Sequence, residues 1–130
     1  MGCDIHGTIE KKVGGEWVMV NRLHYSGDST TRHYKRFAAL AGVRGNGPSP
    51  KGIPGDVSAS TKLYIDEWGL DGHSHTFYPI KEAADIYLNT VYENETRTDY
   101  QKKHPVSAFF DIDAAGSDLD NYRCILWFDN

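Results

Sequence analysis

Two alternating segments joined by a Gly-Gly pair, residues 3–22, constrain this chain more than any other stretch. In CDIHGTIEKK, Cys3, Ile5, Gly7 and Ile9 fall on one face of a strand, and Asp4, His6, Thr8 and Glu10 fall on the other. Gly14-Gly15 supplies the turn of a tight hairpin, and EWVMVNRL alternates again, Trp17, Met19 and Asn21 against Val18, Val20 and Arg22. The first face of the opening strand is expected to join the core, the second to stay polar. Cys3, Asp4 and His6 are suited to ligand or proton chemistry, and their place at the very start makes sense only if the N-terminus is tied into the fold.

Beyond the hairpin, Ser29 to Thr31 are expected to cap a short helix with the apolar stripe Tyr34, Phe37, Ala38 and Ala41, stopped by Gly42. From Gly42 to Asp56, eight of fifteen residues are Gly or Pro, which predicts a loop, and so long a loop inside a compact domain is more often functional than accidental. Asp56 or Ser58 begins a helical turn through Lys62, ahead of LYIDEWG and a DGHSH loop. Pro79 suits the first position of the main helix, where Ile80, Ala83, Ala84, Tyr87, Leu88 and Val91 recur at helical spacing. ENETRTDYQKKH continues or ends that helix, and His104-Pro105 closes it. VSAFFDID reads as a strand, AAGSDLDN as a turn, and YRCILWFDN as a nearly continuous apolar strand central in a sheet. The expected fold is a single α+β domain over residues 1–130: a mostly antiparallel sheet with an N-terminal hairpin and a central C-terminal strand, packed by one long and one short helix.

Composition narrows the function. The 130 residues are enough to bury about two-thirds of the unfolded chain's surface without a covalent staple. Cys3 and Cys124 each lie in an apolar strand pattern, which points to buried thiols in a reduced, cytoplasmic chain rather than a disulfide. No apolar run approaches the ~18 residues of a membrane span, and His6 stands where an acylation signal after MGC requires Ser or Thr. A formal net charge of −4 argues against duplex nucleic acid as partner, while a small anionic ligand needs only a few placed cations.

Five ordered motifs, MGCDIH, RFAALAGVRG, GIPGDVS, DGHS and a closing hydrophobic strand ending in FDN, span nearly the whole chain. Together they resemble a family of small proteins carried by bacteriophages and prophages. The resemblance implies a phage product acting in the cytoplasm of an infected bacterial host, and it brings no activity with it. This chain departs from the family pattern after DGHS, where His75, Thr76, Phe77 and Tyr78 stand in place of a Trp-Leu pair that begins a helix.

The leading expectation is a small-ligand-binding protein that sequesters a nucleotide-type immune signal of a host defence system, working as a homo-oligomer. Its ligand-binding candidates are His6, Arg36, Arg44, Trp68, His73 and His75. Arg32, Lys35, Arg36, Arg44 and Lys51 supply cations around a loop whose glycines 42, 45 and 47 would let backbone N–H groups approach an anion. Tyr64, Trp68, Phe77 and Tyr78 could stack on a base. The alternative is a metal-dependent phosphodiester hydrolase in which Asp4, His6, His73 and His75, with Asp71 in reserve, hold Zn²⁺ or Mn²⁺. HGTI also fits one H-x-T-hydrophobic element of two-histidine phosphoesterases, although HSHT offers no second copy. A third class is a protein-binding phage accessory or inhibitor. Asp111, Asp113, Asp118 and Asp120 lack the glycine and glutamate of a calcium loop and read as a turn.

Overall fold

The computed structural model describes residues 2–23, 32–114 and 116–130. Four strands, β1 (Asp4–Val13), β2 (Glu16–Arg22), β3 (His73–Pro79) and β4 (Tyr122–Asp129), form one antiparallel sheet in the order β2-β1-β4-β3. The helices are α1 (Tyr34–Ala41), α2 (Ala59–Trp68), α3 (Ile80–Asn89), α4 (Asp99–Lys103) and α5 (Pro105–Phe110), with 3-10 turns at Gly69–Asp71 and Gly116–Asn121. The α+β class, the N-terminal hairpin and the central C-terminal strand all stand as expected. Gly14 and Gly15 turn the hairpin at φ +59° and +83°, the left-handed pair that matches strand twist. The expected alternation in β2 breaks where Ile9 faces Asn21 and Glu10 faces Met19, so that Val20 is an extra, bulged residue.

One face of the sheet is apolar. Ile5, Ile9, Cys124, Leu126 and Phe128 pack with Phe37 and Leu40 of α1, Ile80, Ala83, Ala84 and Tyr87 of α3, and Val106, Phe109 and Phe110 of α5. Both cysteines are reduced and buried. Burial pushes the Cys124 thiol up to about 12 and raises that of Cys3, so neither is a nucleophile at neutral pH.

Several expected elements change. VSAFFDID is no strand: Pro105 is the first residue of α5, and the Phe109-Phe110 pair packs on Tyr87. DGHSH is not a loop, because β3 starts at His73. Helix α2 runs on to Trp68 from a Ser58 cap. Helix α3 stops at Asn89, and Arg97 folds back to donate to the carbonyls of Tyr87, Leu88 and Thr90 at 2.5, 3.2 and 3.2 Å. A separate α4 then begins at a Thr98–Gln101 capping box. The helices are thus more numerous than the one long and one short expected. The Ser29–Thr31 cap lies outside the described residues; within them, His33 Nδ1 accepts from the backbone N–H of Arg36 at 3.1 Å and caps α1.

The largest change concerns the second face of β1. The face of Asp4, His6, Thr8 and Glu10 is polar as expected but not open to solvent, and only Asp4 is partly exposed. β1 is an interior strand, and α2 lies over its polar side, burying Thr8 and Glu10 completely and leaving His6 7 % exposed. Thr61 on α2 bonds Thr8 at 2.9 Å, hydroxyl to hydroxyl, and Ser58 closes on Thr61 at 3.0 Å. The Ser58 backbone N–H and the Arg123 guanidinium both donate to the Glu10 carboxylate, at 3.0 and 2.8 Å. Arg123 also reaches Asp56 at 2.9 Å and lies over the Trp17 ring at 4.0 Å, and Trp17 donates to Asp56 at 3.1 Å. Burial alone would raise the Glu10 pKa; the hydrogen bonds from Ser58, Thr61 and Arg123 outweigh it and hold the carboxyl below its usual range.

Candidate functional site

The two histidine segments singled out in the sequence meet through β4. Pairing of β1 with β4 sets His6 opposite Trp127 and Asp4 opposite Asp129, while β3 sets His73 opposite Phe128 and Thr76 opposite Leu126. Two residues of β3, Ser74 and His75, therefore face the single Trp127. This is a bulge, and Ser74 takes φ +56° to make it. The register leaves His73 on the face of Phe128, and the bulge lets His75 stack along Trp127, ring centroids 6.1 Å apart.

Around Trp127 the α2 face becomes aromatic. Tyr64 meets its ring edge-on at 5.1 Å, and Trp68 covers the His6 ring at 3.9 Å. His6 Nε2 lies 2.9 Å from Asp129 Oδ1, a carboxylate that fixes the orientation of the imidazole. Gly72 is pressed into the same place: a Cβ there would sit 3.3 Å from Trp127 Cδ1, 3.3 Å from Trp68 Cβ and 3.7 Å from His75 Nε2. Trp127 is wholly buried, yet its indole Nε1 and the Nε2 atoms of His75 and His73 are buried without a hydrogen-bond partner among the described residues. An unpaired buried donor costs about 1–3 kcal/mol. Burial first, and then the neighbouring His73, lowers the His75 pKa, so that ring is neutral at physiological pH. His73 Nδ1 is spoken for by Ser74 Oγ at 2.9 Å.

The remaining candidates lie elsewhere. Arg36 is fully buried on the apolar face, its guanidinium 4.1 Å from the Tyr87 centroid, and is a core residue rather than a ligand-facing cation. Its helix turns residues 36, 37, 40 and 41 inward, not the expected stripe of 34, 37, 38 and 41. Arg44 is exposed at φ +55° and lies over Tyr34 at 4.9 Å, on the α1 side of the sheet. Lys51 covers Tyr78 at 3.8 Å. The glycine-rich loop lies against α1. It wraps the C-terminal end of α1, where a Cβ on Gly47 would come within 1.9 Å of the Ala38 carbonyl oxygen, and that end of a helix repels negative charge. Its later half closes the β3 edge, with Gly52 N–H donating to the His75 carbonyl at 2.8 Å and Lys51 N–H to Thr76 Oγ1 at 3.2 Å.

Nor do Asp4, His6, His73 and His75 gather as metal ligands: among the described residues no group of three or more His, Cys, Asp or Glu side chains is placed to hold an ion. Asp4 is held by a two-pronged Arg32 contact at 2.6 and 3.2 Å, which keeps its carboxyl below the usual range, and His6 is held by Asp129. A cavity of about 410 Å³ lies on the α3 and α5 side, lined by Lys81, Asp85, Lys103 and His104, remote in the fold from Trp127. No helix among the described residues is long and apolar enough to cross a membrane.

Sequence reasoning missed Trp127, Asp129, Gly72 and Ser74. A signal existed for the first two, because Ile125, Trp127 and Asp129 alternate with Cys124, Leu126 and Phe128, and pairing the terminal strands brings them beside His6. Compared with protein-family models, curated proteins and solved structures, the chain matches none.

Proposed function

We propose that this chain is a small-ligand-binding protein of phage origin that captures, without transforming, a nucleotide-type signal of a host defence system, and that it works as a homo-oligomer in the host cytoplasm. The observation that carries the binding reading is that Trp127 and His75, whose Nε1 and Nε2 are buried and unpartnered, converge on Gly72 beside Trp68 Cβ. Polar atoms held out of water in this way gain a partner when a ligand arrives, and that gain is specific to a ligand of matching shape. The scaffold suits capture: Trp127 sits in the central strand, and the Glu10, Arg123 and Thr61 network fixes α2 above it.

Purified protein should be mixed with candidate cyclic nucleotides and heated after washing. At a ligand concentration about 100-fold above Kd the native state gains about 2.7 kcal/mol, which for a domain of this size raises the unfolding midpoint by roughly 10 °C. The heated protein should release the nucleotide intact. No thermal shift with any nucleotide defeats the proposal, and recovery of a cleaved product would move the reading to a hydrolase.

A further inference from the structure

The geometry points to the part of the ligand this slot reads: we infer that Trp127 and His75 take the uncharged edge of a heteroaromatic ring, a nucleobase, and that the slot leaves any phosphate outside. The inference rests on the small-ligand reading above and corrects its expected chemistry, in which cations met an anion. An indole N–H can only donate, and a neutral imidazole presents one donor and one acceptor. Side by side they match a ring edge that alternates acceptor and donor, as purines and pyrimidines do.

A phosphate offers acceptors only, and it would lie in a buried place without a countercharge. Arg36 is engaged in the core on the other face, Arg44 over Tyr34, Lys51 over Tyr78, Arg123 on Glu10 and Arg32 on Asp4, while Arg22 is exposed and lies over the outer Tyr64 ring at 3.9 Å. Negative charge stands beside the slot, from Asp129 on His6 and from Asp71 next to Gly72 in the chain. The ring faces of Trp68 and Trp127 add negative quadrupole.

Entry requires the turn Gly69–Asp71 to lift and carry Gly72 off Trp127, and the turn is built for it. Gly69 holds φ +53° and ψ −131°, a conformation open to glycine almost alone. Leu70 is fully exposed and packs on nothing, and no residue of the 3-10 turn Gly69–Asp71 is buried. Lifting it uncovers the Trp127 N–H at little packing cost.

The test uses the full chain, ¹⁵N-labelled, with the indole N–H signals of Trp17, Trp68 and Trp127 followed by NMR during titration to millimolar concentration. The probes are the four ribonucleosides, their 5′-monophosphates, and ribose 5-phosphate. At least one nucleoside should shift the Trp127 signal and leave Trp17 in place, with a Kd within about threefold of its monophosphate, while ribose 5-phosphate moves neither. His75→Phe keeps a ring and removes both nitrogens, and should weaken nucleoside and nucleotide equally, about tenfold, the worth of one net hydrogen bond. If the monophosphate binds and ribose 5-phosphate matches it while nucleosides fail, the base-edge inference is overturned and the ligand-binding reading survives. If neither these probes nor the cyclic nucleotides bind, both fall. The wild-type titration decides the point even if the variant does not fold.

Discussion

The two faces of this sheet are both buried, and they are buried by different physics. On the side of α1, α3 and α5, Phe37, Leu40, Tyr87, Phe109, Leu126 and Phe128 exclude water chiefly by apolar area. On the side of α2, Thr8, Glu10, Thr61 and Arg123 are buried as a chain of directed bonds, and only Ile65, Ile125 and Trp127 form an apolar cluster. An apolar face tolerates rearrangement so long as volume is kept, whereas a polar one fixes positions because each donor has one partner. The place where that accounting fails, Trp127 beside His75, therefore stands out against a network otherwise well paired.

The largest expected effect tests the first face. Phe37→Ala removes a ring packed on Phe128 and Tyr34 and should cost about 4 kcal/mol in urea unfolding, with Phe37→Leu recovering most of it. A loss below about 1 kcal/mol would mean that this face does not dominate stability.

The second face should respond differently to partial and to full replacement. Arg123→Ala leaves the Glu10 carboxylate buried without its cation and should cost about 3 kcal/mol. Glu10→Gln combined with Arg123→Met removes both charges and should recover much of that loss, a recovery that no pair on the apolar face can show. A double variant as unstable as the sum of its parts would reduce the network to ordinary packing.

How much of this was legible from residues follows the same division. The strand of Cys3, Ile5 and Ile9, the Gly14-Gly15 turn and the buried stripe Ile80, Ala83, Ala84 and Tyr87 are periodic, and period alone placed them. VSAFFDID misleads because a short apolar run has no period of its own, and it is Pro105 that begins a helix, whereas Pro79, expected in that role, ends β3 and precedes the first residue of α3. Thr8 and Glu10 are polar residue types, and only a long-range partner, Thr61 or Arg123, shows that their face of β1 is buried. Arg36 illustrates the converse, a cation that the core absorbs against Tyr87. At the site, His6, Trp68 and His75 were visible as residue types, but their meeting at Trp127 depends on the bulge at Ser74, which no local pattern announces.

The smallest effect separates the slot from the network in pH. The His75 pKa is lowered in the fold from an ordinary value of 6.5, so below that value the unfolded chain binds a proton that the native ring refuses. Stability linked to His75 is therefore complete above about pH 6.5 and declines as pH falls toward the lowered native value. The Glu10 contribution has the same sign and a lower window: its native pKa lies beneath an ordinary 4.5, so its stabilisation persists through the His75 range and is lost only as pH drops below 4.5. Urea midpoints measured from pH 7.5 to 3.5 should thus fall in two separated stages. His75→Phe should flatten the first and leave the second, and Glu10→Gln should leave the first and reduce the second, to which the lowered carboxyls of Asp4, Asp56 and Glu95 also contribute. If His75→Phe leaves the wild-type slope between pH 6.5 and 5 intact, His75 is not held neutral by its burial beside Trp127, and the neutral chemistry assigned to that slot loses its support.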